Sequence, residues 1–472
     1  MELDKEKLKS ILESCLQDGL ELIQKQKEED KKRDWNFTFE YHAKYPSMSS
    51  LGNRMPSFYL NNYQKIDYSK YLTKDKKHLD INSWRNYHDF VQNSEPLRHY
   101  FGLMEYGNFT EDAKEESKRL YNQIYTYYFL SDFVDSFIHT ASLEFDSKIF
   151  DELFDLYYNS IIKEKLEITI AVPIIFADFD FDEFLINDSI SIRRISNEIQ
   201  LARNIRKNYT TSAHETVIGA ATHAFYLNGW FADNNRQNQL ENSLTDLGSF
   251  GKPLVIIEKL FAALRLACNI EVGYCQVVSI PVNWQYRKNV DLPLVFVASE
   301  KKYPDKFENY GWLEPLMKLS SESLNSYTFI YEKLTSEQYS LAIKRLNSAT
   351  LRKNDEDSII DITIALESLL TNDSSSEITY RLATRASQIC KLSKFEDYST
   401  KQVFDLCKKI YNYRSAVVHG DIKRIEKTKK IVSNESKEIE IIKVSIDLLK
   451  HVLLTILQKE IKDTNAIDEI MM

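Results

Sequence analysis

The chain has 472 residues, of which 43% are hydrophobic and 28% charged, and a net charge of −9. That length exceeds one ordinary core and predicts two or three domains, while the negative balance excludes a surface coated throughout in nucleic acid and leaves room for a local basic site. Only 11 Gly and 9 Pro interrupt a text rich in Leu, Ile and Lys, so long helices are expected over a loop-rich β architecture.

Residues 2–33 read as a charged amphipathic helix, with Leu8, Ile11, Leu12, Cys15, Leu16, Leu20 and Ile23 on one stripe. The stretch 35–105 is aromatic and irregular, punctuated by Pro46, Pro56 and Pro96, and helical periodicity returns over 110–163. Between 165 and 195 the period shortens. Leu166, Ile168, Ile170 and Val172 alternate with other residues, as do Ile190 and Ile192, which predicts strands. Strands are expected again at 271–281 and 292–298, after a helix from Pro253 to Cys268. The expected fold is mainly α: a helical region over 1–160, a mixed α/β region over 165–330 that could join it in one unit, and a helical bundle over 335–472.

The last third carries the clearest start signals. Thr335 with Gln338 matches a capping box, and Asn354 followed by Asp355, Glu356 and Asp357 matches a capped helix start. Ile359, Ile362, Leu366 and Leu369 supply one face of that helix. A turn at 372–376 separates it from a helix with Leu382, Ala386 and Ile389, and a fourth helix runs from about 400 through Val403, Leu406, Ile410 and Val417. A final helix carries Ile439, Ile442, Ile446, Leu449, Leu453 and Ile456 at spacings of three and four, the seam of a bundle or of a helix pair.

The five cysteines form no CxxC pair and no zinc spacing, so reduced, buried thiols of a cytoplasmic protein are expected. The charged start has no apolar segment of a signal peptide, and no apolar run reaches the ~18 residues of a membrane span, so no membrane partner is expected. Asp178, Asp180 and Asp182 lack the glycine of a calcium loop; His214-Glu215 lacks the second histidine of a zinc protease. No metal or cofactor is called for.

Chemistry concentrates near the end of the fourth helix. Arg414 and His419 stand there, a permanent cation and a group that titrates near neutrality. On an ideal helix a five-residue step turns about 500°, leaving the two side chains about 140° apart. They converge only if the helix loosens, which Gly420 would allow, or if two copies face each other.

Three blocks carry a resemblance: Asp357-Ser-Ile-Ile-Asp-Ile-Thr-Ile-Ala-Leu-Glu-Ser-Leu-Leu370, Glu377-Ile-Thr-Tyr-Arg-Leu-Ala-Thr-Arg-Ala386 and Tyr411-Asn-Tyr-Arg-Ser-Ala-Val-Val-His-Gly420. In order and spacing they are similar to the ApeA-like branch of the HEPN domains, over about a quarter of the chain. The resemblance implies a HEPN-like helical bundle that forms a homodimer, with Arg414 and His419 meeting across it. It further implies metal-independent RNA cleavage and a role in bacterial defence against phage, set off by an unknown phage or cellular trigger. Many active members carry Asn, Asp or His directly after the motif arginine, where this chain has Ser415. Ser415, Glu367, Arg381 and Arg385 are candidate supporting groups, the last three either orienting the motif or forming a structural carboxylate–guanidinium cluster.

From Lys401 to Lys430 nine Lys and Arg face three acids, a local excess of six positive charges. Lys408, Lys409, Tyr411, Lys423 and Arg424 are therefore candidate RNA contacts, or else a solvated helix face and a basic loop. A different class of function stays open alongside: a non-catalytic HEPN dimerisation or nucleotide-binding module within an interaction protein.

Overall fold

A computed structural model describes residues 3–33, 41–52, 55–73, 78–103, 111–205, 213–234, 236–308, 316–371, 377–432 and 438–471. In chain order the first elements are α1 (Lys5–Arg33), β1 (His42–Ser50), β2 (Pro56–Ile66), α2 (Tyr68–Thr73), α3 (Asn82–Asn93), α4 (Glu95–Phe101), α5 (Glu111–Thr140) and α6 (Ser147–Ile162). Next come β3 (Lys165–Pro173), β4 (Ala177–Phe179), β5 (Glu183–Asn187), β6 (Ile190–Arg194), α7 (Asn197–Ile205), α8 (Glu215–Gly219), β7 (His223–Asp233), α9 (Gln237–Thr245) and α10 (Lys252–Cys268). They are followed by β8 (Tyr274–Pro281), β9 (Lys288–Asn289), β10 (Leu292–Pro293), β11 (Phe296–Lys302), β12 (Met317–Leu319), α11 (Tyr327–Leu334), α12 (Ser340–Leu351) and α13 (Asp355–Leu370). The last are α14 (Ile378–Leu392), α15 (Thr400–Val418), α16 (Ile422–Thr428), β13 (Lys430–Val432), β14 (Glu438–Glu440), α17 (Ile441–Gln458) and α18 (Thr464–Met471).

The chain is mostly helical, with a mixed α/β N-terminal region, and it divides into two compact units. The first comprises Met1–Pro173, Glu183–Phe250 and Gln276–Glu300; the second comprises Ile174–Asp182, Gly251–Cys275 and Lys301–Met472. The division is therefore not linear. The helical start and most of the strands share one unit, whereas α10, placed by its sequence position in a 165–330 region, packs on α11 and α12 in the other.

In the first unit, Leu8, Leu12, Cys15, Leu16, Leu20 and Ile23 of α1 are buried against an aromatic core of Trp84, Tyr87, Phe129, Phe133 and Tyr157. Three side-chain polar atoms in that core are satisfied internally: the Tyr87 and Tyr157 hydroxyls lie 2.7 Å apart, and Trp84 Nε1 donates to Cys15 O at 3.0 Å. The sheet runs in the order β11-β8-β3-β7-β6-β5, with β3 paired antiparallel to both β7 and β8. A correction falls at 42–66, expected to be irregular within a helical region. There β1 and β2 form an antiparallel hairpin. Each strand of a two-stranded ribbon has an open edge, so Pro46 and Pro56 can be accommodated.

Among the described residues the second unit is mainly helical, with the short parallel pair β4/β12 and the β13/β14 hairpin. α13 packs on α12, α15 and α17, and α14 packs on α15 and α17, around buried Ile359, Ile362, Leu366, Leu382, Ile389, Ile410, Leu448 and Leu453. Asn354 caps α13 as its sequence predicts, its side chain accepting from Glu356 N at 2.9 Å. The Thr335–Gln338 box does not form. Thr335 instead closes α11, its hydroxyl donating to Glu332 O at 2.6 Å, and α12 starts at Ser340. Ile439 belongs to β14 opposite Ile431, so the buried seam of α17 begins at Ile441 and Val444. The turn at 372–376 lies outside the described residues. All five cysteines are free, and four are buried. Among the described residues no helix is long and apolar enough to cross a membrane.

Candidate active site

α15 presents the Arg/His motif, and both of its ends are fixed. At its start, Ser399 and Gln402 form a reciprocal capping box: Gln402 N donates to Ser399 Oγ at 3.3 Å and Ser399 N to Gln402 Oε1 at 2.8 Å. At its end, Gly420 N donates to Val417 O at 3.1 Å and Asp421 N to Ala416 O at 3.0 Å, the paired bonds of a Schellman motif. Gly420 takes φ +66°, the left-handed conformation that this ending requires of the residue after the cap.

The helix is regular through Val418, with His419 as its C-cap. Gly420 thus stops the helix without loosening it. Arg414 and His419 keep an angular separation near the ideal ~140°, and no hydrogen bond joins them among the described residues. His419 is exposed, and its backbone N–H donates to Ser415 O at 3.1 Å. Arg414 and Ser415 are half-buried.

Arg414 is unpaired among the described residues, and its Nε is buried without a hydrogen-bond partner. Arg414 makes no pair with Glu367, which instead accepts from the Tyr411 hydroxyl at Oε1. Burial first, and then that carboxylate, push the Tyr411 phenol well above its ordinary range, while the Arg414 charge nearby opposes them. Tyr411 is therefore tied into the bundle. An orphaned buried donor is costly unless something satisfies it, and an anionic oxygen at Arg414 would do so.

The other candidates separate into two groups. Arg385, 5% exposed, grips Asp468 of α18 with Nε at 2.7 Å and Nη2 at 2.6 Å, while Nη1 donates to Leu370 O at 2.7 Å. Its carboxylate partner is thus Asp468 and not Glu367, and Arg381 contributes to the same acid's field. Arg385 thus holds α14 to α18 and satisfies the end of α13. Lys408 and Lys409 are exposed on α15, with the Lys408 ammonium 5.5 Å from the Phe404 ring centroid. Lys423 is exposed on α16, and half-buried Arg424 donates to Asn412 Oδ1 at 3.2 Å. The basic stretch after the motif is folded, as α16 and β13.

Two features next to His419 escaped the sequence pattern. Val418 and Ile422 are exposed by 51% and 74%, an apolar rim on either side of the histidine. Exposed apolar residues are ordinary on a protein surface, and these two stand close in sequence at one helix end. Among the described residues no group of three or more His, Cys, Asp or Glu is placed to hold a metal ion. No protein-family model, no curated protein and no solved structure matches the chain.

Proposed function

We propose that the second unit is a HEPN-type endoribonuclease, a homodimer in which Arg414 and His419 from two copies act on one RNA phosphodiester. The observation that carries this reading is Arg414: a guanidinium with a buried, unsatisfied Nε and no acid partner among the described residues, five residues before an exposed imidazole. The rim of Val418 and Ile422 supports a second copy at that end of α15.

The chemistry follows from the two groups. The RNA 2′-hydroxyl gives its proton to a neutral His419 and its oxygen attacks the adjacent phosphorus. The P–O5′ bond breaks, and the leaving oxygen takes a proton from a protonated imidazole or water. Products are a 2′,3′-cyclic phosphate and a 5′-hydroxyl end. Arg414 holds the phosphoryl oxygens as negative charge gathers on them. Lys408, Lys409, Lys423 and Arg424 would carry flanking phosphates. In the cell this becomes an anti-phage, abortive-infection effector of the cytoplasm, with the first unit sensing a phage or cellular trigger; that step rests on the family resemblance.

The test is cleavage of total RNA by the purified chain in EDTA. The parent should yield cyclic-phosphate ends, and His419→Ala should yield none while remaining folded. Equal cutting by His419→Ala would remove the assignment. The intact helical turn between Arg414 and His419 favours a second reading, a non-catalytic dimerisation or nucleotide-binding module. RNA left uncut by the parent in trigger-exposed cells would select that one.

A further inference from the structure

A second cationic site lies in the same unit, away from the motif in sequence. On α10, Phe261 and Arg265 are four apart on one helix face, and α12 contributes a face that carries Lys344 and ends at its C-cap, Arg352. The two faces border a cavity of 360 Å³. Lys301 and Lys302 at the end of β11 complete the lining, which holds five cations against the single carboxylate of Glu258. Their approach depends on Gly273: a Cβ there would stand 2.1 Å from Lys302 O, so only glycine lets the two backbones come together.

Arg265 is the informative residue. It is only 2% exposed, and burial lowers its pKa to about 10. Nε and Nη2 donate to Val272 O at 3.2 and 2.7 Å, and Nη1 donates to Asn347 Oδ1. Those acceptors are neutral, and no acid pairs with Arg265 among the described residues. Two of its five N–H groups remain after these three bonds. Lys344 is exposed and likewise without a partner among the described residues. Lys301 and Arg352 have acids of their own: Asp305 and Glu308 for the first, Asp361 and Asp357 for the second.

We propose that this cavity binds a mononucleotide, its phosphates held by Arg265 and Lys344 and its base against the Phe261–Tyr274 wall. A buried guanidinium hydrogen-bonded only to neutral oxygens, with the Glu258 and Glu271 charges near it but not bonded to it, gains from a phosphate, which accepts from its planar fork and cancels its charge. The volume exceeds what one phosphate fills and lies at the small end of ordinary ligand pockets, about 300–1,000 Å³. The rings of Phe261 and Tyr274, 5.0 Å apart, supply the apolar contact that a base would use and a bare polyphosphate would not. The site would act as a sensor of nucleotide, independent of whether Arg414 and His419 cut RNA.

The experiment is calorimetric titration of the full-length chain with ATP, AMP and inorganic triphosphate, without metal. Saturable binding of ATP or AMP is expected, weakened at least tenfold by Lys344→Glu, whose exposed position spares the fold, and unchanged by Arg414→Ala. Arg265→Met should abolish it in protein whose thermal melting shows it to be folded. Absence of saturable heat, equal affinity in Lys344→Glu, or loss of binding in Arg414→Ala would each overturn the site. Inorganic triphosphate binding as tightly as ATP would overturn the nucleotide assignment.

Discussion

Two arginines of the second unit, Arg385 and Arg414, should respond very unequally to truncation. Arg385→Ala removes a bidentate grip on Asp468, at 2.7 and 2.6 Å, and a 2.7 Å bond to Leu370 O. Hydrogen bonds to a charged group contribute about 1.5–3 kcal/mol each, but the Asp468 side chain is 36% exposed, so water recovers much of its share. The Leu370 carbonyl at the buried end of α13 is also left short of its donor. The sum is a loss of about 2–4 kcal/mol. Arg414→Ala removes no hydrogen bond and no ion pair among the described residues and abolishes a buried, unsatisfied Nε. Its cost should stay within about 1 kcal/mol, from lost aliphatic contact. Urea unfolding of the full-length chain, followed by circular dichroism, separates the two, and RNA cleavage is measured on the same preparations. The expected pattern is a large midpoint shift with Arg385→Ala, and with Arg414→Ala a small shift and no cleavage. If Arg414→Ala falls as far as Arg385→Ala, Arg414 is structural and the proposed chemistry loses its cation.

The hydrogen bond from Arg385 holds the Asp468 carboxyl below the ordinary carboxylate range. A depressed folded-state pKa gives stability that is present above the unfolded value, about 3.9, and is lost as pH falls through the folded one. Melting temperature should therefore drop less steeply below about pH 4 in Asp468→Asn than in the parent, and equal slopes would contradict the pairing. Gly420→Ala meets nothing within 4 Å but must hold φ +66°, so it should cost about 1 kcal/mol by urea midpoint. A midpoint equal to the parent's would mean that α15 ends differently. Ile422→Glu, on a side chain 74% exposed, should leave melting unchanged while converting the dimer to monomer in light scattering and lowering cleavage. A dimer that survives this change would place the interface elsewhere.

Elements marked by dense local signals were legible. Asn354 with three acids announced α13, the helix expected from Pro253 to Cys268 is α10, and alternation announced β3 and β6. The capping-box pattern shows the limit of such signals. It occurs both at Thr335–Gln338 and at Ser399–Gln402, yet only the second forms, because Thr335 already closes α11. What the chain does over long separations could not be read. Arg385 finds Asp468 across 83 residues, and Arg265 finds Asn347 across 82, with nothing local to mark either choice. The membership of α10 in the second unit is of the same kind. Of the candidate site, the residues and their helix were legible, and the absence of an acid partner for Arg414 among the described residues was not.

The end of α15 imposes a condition on any joint action of Arg414 and His419. Were the last turn loose, one chain could fold its histidine back towards its arginine and act alone. The Schellman bonds from Gly420 and Asp421 oppose this, since both would have to break to turn His419 through the ~140° that separates it from Arg414. Chemistry that needs both groups at one phosphate would then draw them from two chains, and in the homodimer proposed above the exposed Val418 and Ile422 would line their meeting surface. It follows that cleavage per protomer should fall when the protein is diluted through its dimer dissociation constant. An Arg414→Ala chain mixed with a His419→Ala chain should regain part of the activity, because some mixed pairs hold one intact combination. A single-chain enzyme would show neither effect.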